Sequence, residues 1–307
     1  MKHMFYFYGN AIILSKLLLG FVVTMLLFIP DAFPDSNLDV EAANDVSESQ
    51  RSEVIVSELP LWEAGVFGLG LSQPAYPGAE DLASRFLALP YVIYRGKYLR
   101  IDRGTVGVRT LKTPRTEMDI GFSGSLGSRA SDIEARSGMD DLGILLGFGP
   151  RLKVNLGDIS NGLSGSRLQF ALRGVFDAND HFSYHGNAFE PQWVTDYHLQ
   201  ASWIISTSLG AVFGDQQLVD TFYRVLPKEA TNTRQAYEAK SGLISLRGIL
   251  LASGLITDNV RIFSYVQFDS VEGAANYNSP LVRRDNGWTL VAGFAWTLAR
   301  SGRRASD

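Results

Sequence analysis

The feature that most constrains the fold is an alternation of apolar and polar residues with a period of two, which repeats along the chain after Pro60. In residues 167–177 the odd positions carry Arg, Gln, Ala, Arg, Val and Asp, whereas the even positions carry Leu, Phe, Leu, Gly and Phe. Residues 288–298 show the same pattern, with mostly large apolar residues at every second position. Successive side chains of a β-strand point to opposite faces, so this period predicts many strands with one apolar face each.

The alternating segments are separated by turn-forming residues and number about twelve. Their predicted bounds are 61–72, 85–94, 97–103, 105–111, 115–126, 141–154, 166–177, 191–203, 206–215, 241–252, 259–270 and 286–298. Longer connections at 73–84, 127–139, 178–190, 216–240 and 271–285 alternate with tight ones, although the connection 155–165 is longer than this rule prefers. Alternating short and long connections are typical of an outer-membrane barrel. The sequence therefore predicts an all-β, closed antiparallel transmembrane β-barrel of about 12 strands.

Alternation alone does not say which face meets lipid, because a soluble lipocalin-like barrel alternates as well. Three features favour the membrane. The polar face is rich in Gly, Ser, Ala and Thr, the strands have the length of a tilted span, and several tryptophans lie near strand ends, as interface residues do. These tryptophans are Trp193, Trp203, Trp288 and Trp296. We therefore expect the protein in the cell outer membrane, with lipid against its apolar face.

The N-terminal segment has the pattern of an export signal. Residues 17–29 form an apolar run after Lys16, and Pro30 ends it, which fits a secretory h-region better than a full membrane span. An uncleaved anchor is the alternative, because no clear cleavage site follows Pro30. The predicted organisation is a signal peptide and polar leader at 1–42, a flexible periplasmic leader at 43–60, the barrel at 61–299 and a polar tail at 300–307.

Composition excludes several function classes. The chain has no Cys, which rules out a disulfide framework, a thiolate zinc site and a cysteine nucleophile. Its formal net charge of -4 argues against nucleic-acid binding, which needs a basic surface. The mean hydropathy of +0.02 is high for a chain with one long apolar run. Apolar residues at every second position of many strands account for that value.

The connection after the first predicted strand carries a specific motif. Its residues are Pro74, Tyr76, Gly78, Ala79, Glu80 and Asp81. Further short motifs follow in order, including Asp140 and Asp141, residues 221–225, and Ser279 and Pro280. In order and spacing this set resembles the MipA/OmpV family of outer-membrane proteins, over about residues 61–298. Two positions depart from the family pattern: Arg224 replaces a usually small residue, and a polar tail follows Trp296.

The resemblance implies a non-enzymatic outer-membrane barrel that acts as a scaffold for a lytic murein transglycosylase and a murein synthase, with no cofactor. Such a scaffold would dock its partners through periplasmic turns, such as 155–165, or through the leader 43–60. Two other functions stay open, namely a small pore for solutes and, as the weakest alternative, a barrel hydrolase.

Two groups of residues could carry chemistry. His181 and His185 lie four residues apart near Glu190 and could ligate zinc on a helix, but their neighbours indicate a solvated loop. His198 shares one predicted strand face with Asp196 and Ser202, but the distance between Asp196 and Ser202 along the strand is too large for a catalytic triad. We therefore expect His198 to be a hydrogen-bonded interior residue, and we predict no catalytic residue, metal or cofactor.

Charged residues on the polar face should pair inside the barrel, because buried charges need partners. The predicted cations are Arg109, Arg151, Lys153, Arg167, Arg173, Arg247 and Arg261, and the predicted partners are Glu117, Asp119, Asp177 and Asp269. Pore selectivity is the functional alternative for these charges. The pair Glu80 and Asp81, like Asp140 and Asp141, could hold a cation or a basic partner, but turn formation is the preferred interpretation.

Overall fold

The computed structural model describes residues 60–95, 100–101, 111–113, 115–160, 164–199 and 203–303. The predicted signal peptide and almost all of the leader, together with Arg109, Ser202 and the end of the tail, lie outside these residues. Among the described residues, no helix has both the length and the apolar character needed to cross a bilayer.

Most of the described chain forms β-strands. They are β1 (Trp62–Pro74), β2 (Leu82–Arg95), β3 (Arg100–Ile101), β4 (Leu111–Lys112), β5 (Thr116–Ser125), β6 (Leu145–Ser160), β7 (Ser164–Asp177), β8 (Ser183–Leu199), β9 (Trp203–Gly214), β10 (Gly242–Thr257), β11 (Val260–Ser270) and β12 (Asn286–Arg300). One α-helix, α1 (Gln216–Tyr223), and the 3-10 turns Ala130–Asp132, Glu134–Arg136 and Pro227–Glu229 lie in the connections. The predicted all-β class is therefore confirmed.

The strands form one antiparallel sheet in the order β3-β2-β1-β12-β11-β10-β9-β8-β7-β6-β5-β4. Ten strands are long, and β3 and β4 have two described residues each. The sheet curls on itself, because Gln73 Nε2 of β1 donates a hydrogen bond of 3.1 Å to Ser125 Oγ of β5, near the other end of the strand order. The closed twelve-stranded barrel stays a prediction, since residues 102–110 between β3 and β4 lie outside the described residues.

The two faces of the sheet follow the predicted alternation. On β12 the large residues Trp288, Leu290 and Trp296 are about half exposed on the outer face, and Val291 between them is buried. Phe86 of β2 and Leu209 of β9 extend this apolar outer surface. The inner face differs from the prediction in one respect. On β1 it is apolar, with Phe67, Leu69 and Leu71 buried, so the interior is not polar all round.

Two predicted loops are largely strand. β8 begins at Ser183, because Asp180 O accepts a hydrogen bond of 2.7 Å from Ser183 N and closes a tight turn there. The two central residues of this turn, His181 and Phe182, have φ angles of 49° and 59°. The predicted connection 155–165 is mostly a hairpin, in which β6 and β7 pair up to Ser160 and Ser164. Two register shifts accommodate its polar and glycine residues within the strand pair. The sequence predicted a loop because these residue types are typical of turns.

Candidate functional site

Five connections lie at one end of the sheet. Glu63 pairs with Arg300, so β1 begins and β12 ends at the other end of the sheet, which we call the terminal end. We call the five connections the cap. It comprises residues 75–81, 126–144, 178–182, 215–241 and 271–285.

The cap has its own apolar core. Fully or almost fully buried residues from four of its connections meet there, and they are Tyr76, Ile133, Leu218, Val219, Tyr223, Val225 and Leu281. Inward-facing residues at the adjacent strand ends join the same cluster, among them Val175, Val212 and Ile244. Cooperative burial of this kind is what makes a set of loops rigid. The cap therefore covers this end of the interior as a packed layer.

Tyr76 lies at the centre of the cap. Its hydroxyl donates a hydrogen bond of 2.7 Å to Leu281 O, and its ring meets that of Tyr223 edge-on at 6.5 Å. The Tyr223 hydroxyl in turn donates to Pro77 O at 3.0 Å. Burial raises the pKa of Tyr76 to about 12, against an opposing effect of the nearby Arg136 guanidinium. Both phenols are therefore neutral hydrogen-bond donors that fasten one connection to the next.

Position 78 requires glycine. Its φ angle of +88° is in the left-handed region, and a Cβ there would approach Val282 Cγ1 to 3.2 Å. Its carbonyl accepts hydrogen bonds from Arg283 N at 2.8 Å and Arg284 N at 3.1 Å. In the same turn, Ala79 N donates to Tyr76 O at 2.9 Å. The first connection is thus held against the last one by backbone contacts.

The acidic motif residues contact backbone amides of the connection 126–144. Asp81 Oδ2 accepts a hydrogen bond of 2.9 Å from Glu134 N, and Asp141 Oδ1 accepts one of 2.7 Å from Ala130 N. Glu80 forms an exposed ion pair of 2.9 Å with Arg284. Asp140 lies exposed near the end of the connection 126–144, shortly before β6. Asp81 and Glu80 thus join the first connection to two other connections, and the turn-forming interpretation of the acidic pairs stays a prediction.

Ser279 and Pro280 complete the motif positions in the cap. Ser279 Oγ donates a hydrogen bond of 2.9 Å to Tyr223 O. It also accepts one of 3.3 Å from Leu281 N, so it spans Pro280. Pro74 ends β1 directly below the first connection. All ten predicted motif positions therefore lie in the cap or at its edge, and half of them contact another connection of the cap.

Two buried arginines of the cap were not predicted from the sequence. Arg234 NH1 donates to Ala135 O and Ser137 O, both at 3.0 Å, and its NH2 donates to Glu229 O at 2.7 Å. Arg136 makes longer hydrogen bonds of 3.3 to 3.4 Å to carbonyl oxygens and lies 5.8 Å from the centre of the Tyr76 ring. Burial lowers the pKa of Arg136, because desolvation disfavours its charged form. Among the described residues, neither guanidinium forms an ion pair.

The inner wall of the sheet holds charged residues in pairs. Arg151 contacts Asp119 at 2.5 Å, Lys153 contacts Glu117 and Asp119 at 2.9 Å each, and Arg247 contacts Asp269 at 2.8 Å. These pairs confirm the predicted interior pairing.

Other interior partners differ from the prediction. Arg173 pairs with Glu190 and Arg167 pairs with Asp196, because β8 lies beside β7 and places each acid diagonally, two residues along from the position opposite its arginine. Asp177, predicted to pair with an arginine, instead accepts a hydrogen bond of 2.7 Å from Asn179 N at the end of β7.

The candidate metal and catalytic residues do not assemble. His185 lies on β8, where its ring nitrogens are 3.2 Å from Ser183 Oγ and 3.0 Å from Thr221 Oγ1, and Glu190 is on the inner wall. The loop prediction was therefore wrong for His185 and Glu190, and it holds for the exposed His181. Within the described part of the chain, no group of three or more His, Asp or Glu residues could hold a metal ion.

His198 shares a face of β8 with Asp196, as predicted, but it is exposed near the end of the strand, so the expected hydrogen-bonded interior environment is not found among the described residues. β8 runs to Leu199 at the end of the sheet opposite the cap, and His198 is accessible there. Asp196 is engaged by Arg167 and by Ser206 Oγ. Asp196 is therefore not available to orient His198.

These features define an all-β protein with a curled antiparallel sheet, an apolar outer surface and a cap of packed loops. The chain matches the family described as "MltA-interacting protein MipA" over residues 66–298, and it belongs to that family. The family inferred from the sequence motifs is therefore confirmed.

Two solved structures are among those similar to the chain. The NanC porin is 10% identical with a TM-score of 0.33, and the match covers 78% of this chain and 100% of the porin. A Pseudomonas aeruginosa FadL homologue is 10% identical with a TM-score of 0.28, covering 76% of this chain and 67% of the homologue. Neither score is high enough to define the fold. A comparison with curated protein sequences gives no significant match.

Proposed function

We propose that the protein is a closed β-barrel of the cell outer membrane that acts as a non-enzymatic scaffold. The observation that carries the membrane assignment is the apolar outer surface, on which Phe86 and Leu209 are 75% and 65% exposed. Such an area of exposed apolar side chains is costly in water and favourable against lipid. Export by the N-terminal segment 1–42, with 43–60 as a periplasmic leader, is part of this proposal.

Membrane fractionation tests the barrel and its location together. The full chain should be found in the outer-membrane fraction, and unboiled samples should migrate anomalously on a denaturing gel, because a closed barrel resists detergent unfolding. A single heat-independent band, or recovery in the soluble periplasmic fraction, would contradict the proposal.

The scaffold role is supported by family membership and by the cap. The family is named for interaction with MltA, and a lytic murein transglycosylase is accordingly the proposed first partner, with a murein synthase as the second. In the described residues the apolar core of the cap covers one end of the interior, which disfavours the pore alternative. The occupied Asp196 and the exposed His198 disfavour the hydrolase alternative.

The terminal end of the sheet is the proposed docking surface. At this end the hairpin of β6 and β7 extends beyond the start of β5 at Thr116, which pairs with Val154. Leu156 lies in this extension and is 55% exposed. In an outer-membrane barrel both chain ends face the periplasm, where murein enzymes act. The predicted docking at 155–165 is thus retained as docking on a hairpin.

Co-purification with a lytic murein transglycosylase of the MltA type tests this surface. We expect Leu156→Arg to abolish retention of the enzyme by the full-length barrel. Phe182→Arg is the matched control, because Phe182 is a comparably exposed apolar residue at the tip of a cap turn. Loss of retention by the control alone would contradict the orientation, and retention by both variants would contradict docking on the hairpin.

A further inference from the structure

A cavity of about 520 Å³ lies inside the sheet beneath the cap. We call it the chamber. Tyr76 and Phe222 of the cap line it from above, and inward-facing side chains of nearly all the long strands line its sides. Its volume is in the range of sites that bury a small organic ligand, and barrel interiors are a common place for such sites.

The described lining of the chamber is more cationic than anionic. Five basic side chains reach it: Arg151, Lys153, Arg167, Arg173 and Arg247. Of the acidic side chains, Glu190 and Asp269 reach it. The carboxylates of Asp119 and Asp196 pair with their basic partners without being part of the lining.

This arrangement presents cations toward the chamber and places several of their counterions away from it. Arg167 illustrates the geometry, since its partner Asp196 is also held by Ser206 Oγ. The pairing keeps each guanidinium in place without a ligand. An anion that enters the chamber therefore meets preorganised donors, and little side-chain entropy is lost on binding.

The opposite side of the chamber carries an apolar patch, beside Gln73, Gln267 and Asp269 of the same strands. Leu71, Phe263 and Val291 line it, and the Phe263 ring stacks on that of Phe67 with centroids 5.4 Å apart. These residues come from β1, β11 and β12, whereas four of the five basic residues come from β6 and β7. The chamber thus has an apolar patch, which we call the apolar wall, and a cationic wall.

We infer that the chamber binds an amphipathic anion, with its carboxylate, sulfonate or phosphate on the cationic wall and its apolar body against Phe263 and Val291. This ligand site is independent of the proposed scaffold role. An anion is favoured over a cation by the charge of the lining, and an amphipathic molecule is favoured over an inorganic ion by the apolar wall.

Three probes that share the same apolar ring system but differ in charge test the inference. They are 2-naphthoate, 2-naphthamide and 2-naphthylmethylammonium, titrated calorimetrically into the full chain in lipid nanodiscs, with empty nanodiscs as the blank. The naphthoate should bind at least about tenfold more tightly than the amide, which corresponds to one charge-assisted contact. Equal binding of the three probes, or no binding above the blank, would overturn the inference.

A double variant locates the site. Arg167→Gln with Asp196→Asn removes one basic group of the lining together with its counterion, so no unpaired charge stays buried. We expect naphthoate affinity to fall about tenfold and amide affinity to stay within twofold, the loss of one charge-assisted contact. Arg284→Gln with Glu80→Gln is the matched control, since it removes an ion pair on the cap surface and should leave both affinities unchanged.

Heat-dependent gel migration of both double variants establishes that they fold. Unchanged naphthoate affinity in a folded Arg167→Gln, Asp196→Asn variant would place the anion elsewhere and overturn the assignment. An equal loss of naphthoate affinity in the Arg284→Gln, Glu80→Gln control would also overturn the assignment.

Discussion

The cap and the inner wall of the sheet both bury arginine side chains, but they satisfy the charge with different partners. In the cap, Arg136 and Arg234 donate to backbone carbonyls. On the inner wall, Arg173 and Arg247 pair with carboxylates on neighbouring strands. The difference in partners follows from how backbone carbonyl groups are used in the two regions. Strand carbonyls are used by the ladder, whereas loop carbonyls have free lone pairs.

This difference has a consequence for mutations. Removing an arginine from the inner wall leaves a buried carboxylate without its partner, whereas removing one from the cap leaves only neutral carbonyl groups. The first loss should cost more free energy than the second, although the number of hydrogen bonds removed is similar. The predictions below test that comparison, in order of decreasing effect.

Arg247→Met should lower the free energy of unfolding by about 4 kcal/mol, because Asp269 stays buried without its cation. The double variant Arg247→Met, Asp269→Leu should recover most of that loss. Urea titrations of the folded protein in lipid vesicles measure both. A double variant as unstable as the single one would show that the pair is not the source of the cost.

Raising the pH from 10 to 12 should destabilise the cap by about 2 kcal/mol through Tyr76. The pKa of the Tyr76 phenol is near its ordinary value of about 10 in the unfolded chain and about 12 in the folded protein. Across this interval the unfolded state loses the proton, whereas the folded state retains it until the pH approaches 12. The contribution of Tyr76 to stability is therefore fully present well below pH 10 and is lost as the pH rises toward 12.

Amide exchange of residues 126–144 and 271–285 measures that loss. In Tyr76→Phe the fall should be smaller but not absent, because burial also raises the pKa of Tyr223. Cap protection that stays constant from pH 10 to 12 would contradict the burial of these phenols.

Arg136→Met should lower the free energy of unfolding by about 2 kcal/mol, about half the effect of Arg247→Met, since carbonyl groups lose a donor but no charge is stranded. The same urea titrations measure it. The comparison fails if the cap variant is as unstable as the inner-wall variant.

Glu80→Gln should change the free energy of unfolding by less than about 0.5 kcal/mol, because its ion pair with Arg284 is exposed and well solvated. Added salt should leave the wild type and the variant equally stable. A loss comparable to that of Arg136→Met would mean that the pair supports the cap core.

The sequence predicted the strands better than the cap, for a physical reason. Alternation is local, so the faces of β12 and the inward position of Arg151 follow from the pattern itself. The contact between Tyr76 and Tyr223 joins residues far apart in the chain, and no periodicity encodes it.

One signal within the cap could have been found. Leu218, Val219, Phe222 and Tyr223 have helical spacing, and Asp215 precedes them as an N-cap residue that accepts a hydrogen bond from Leu218 N at 3.0 Å. These residues predict α1 inside the segment 216–240. The pairing of Arg173 with Glu190 had no such signal, because it depends on the register between β7 and β8.

Single-channel recording in planar bilayers tests the central claim most directly, namely that the packed cap closes the interior of an outer-membrane barrel. The full-length protein, shown by its gel migration to be folded, should insert without producing conductance steps at either polarity. Stable ohmic steps from the folded wild-type protein would contradict the claim and identify the interior as a pore.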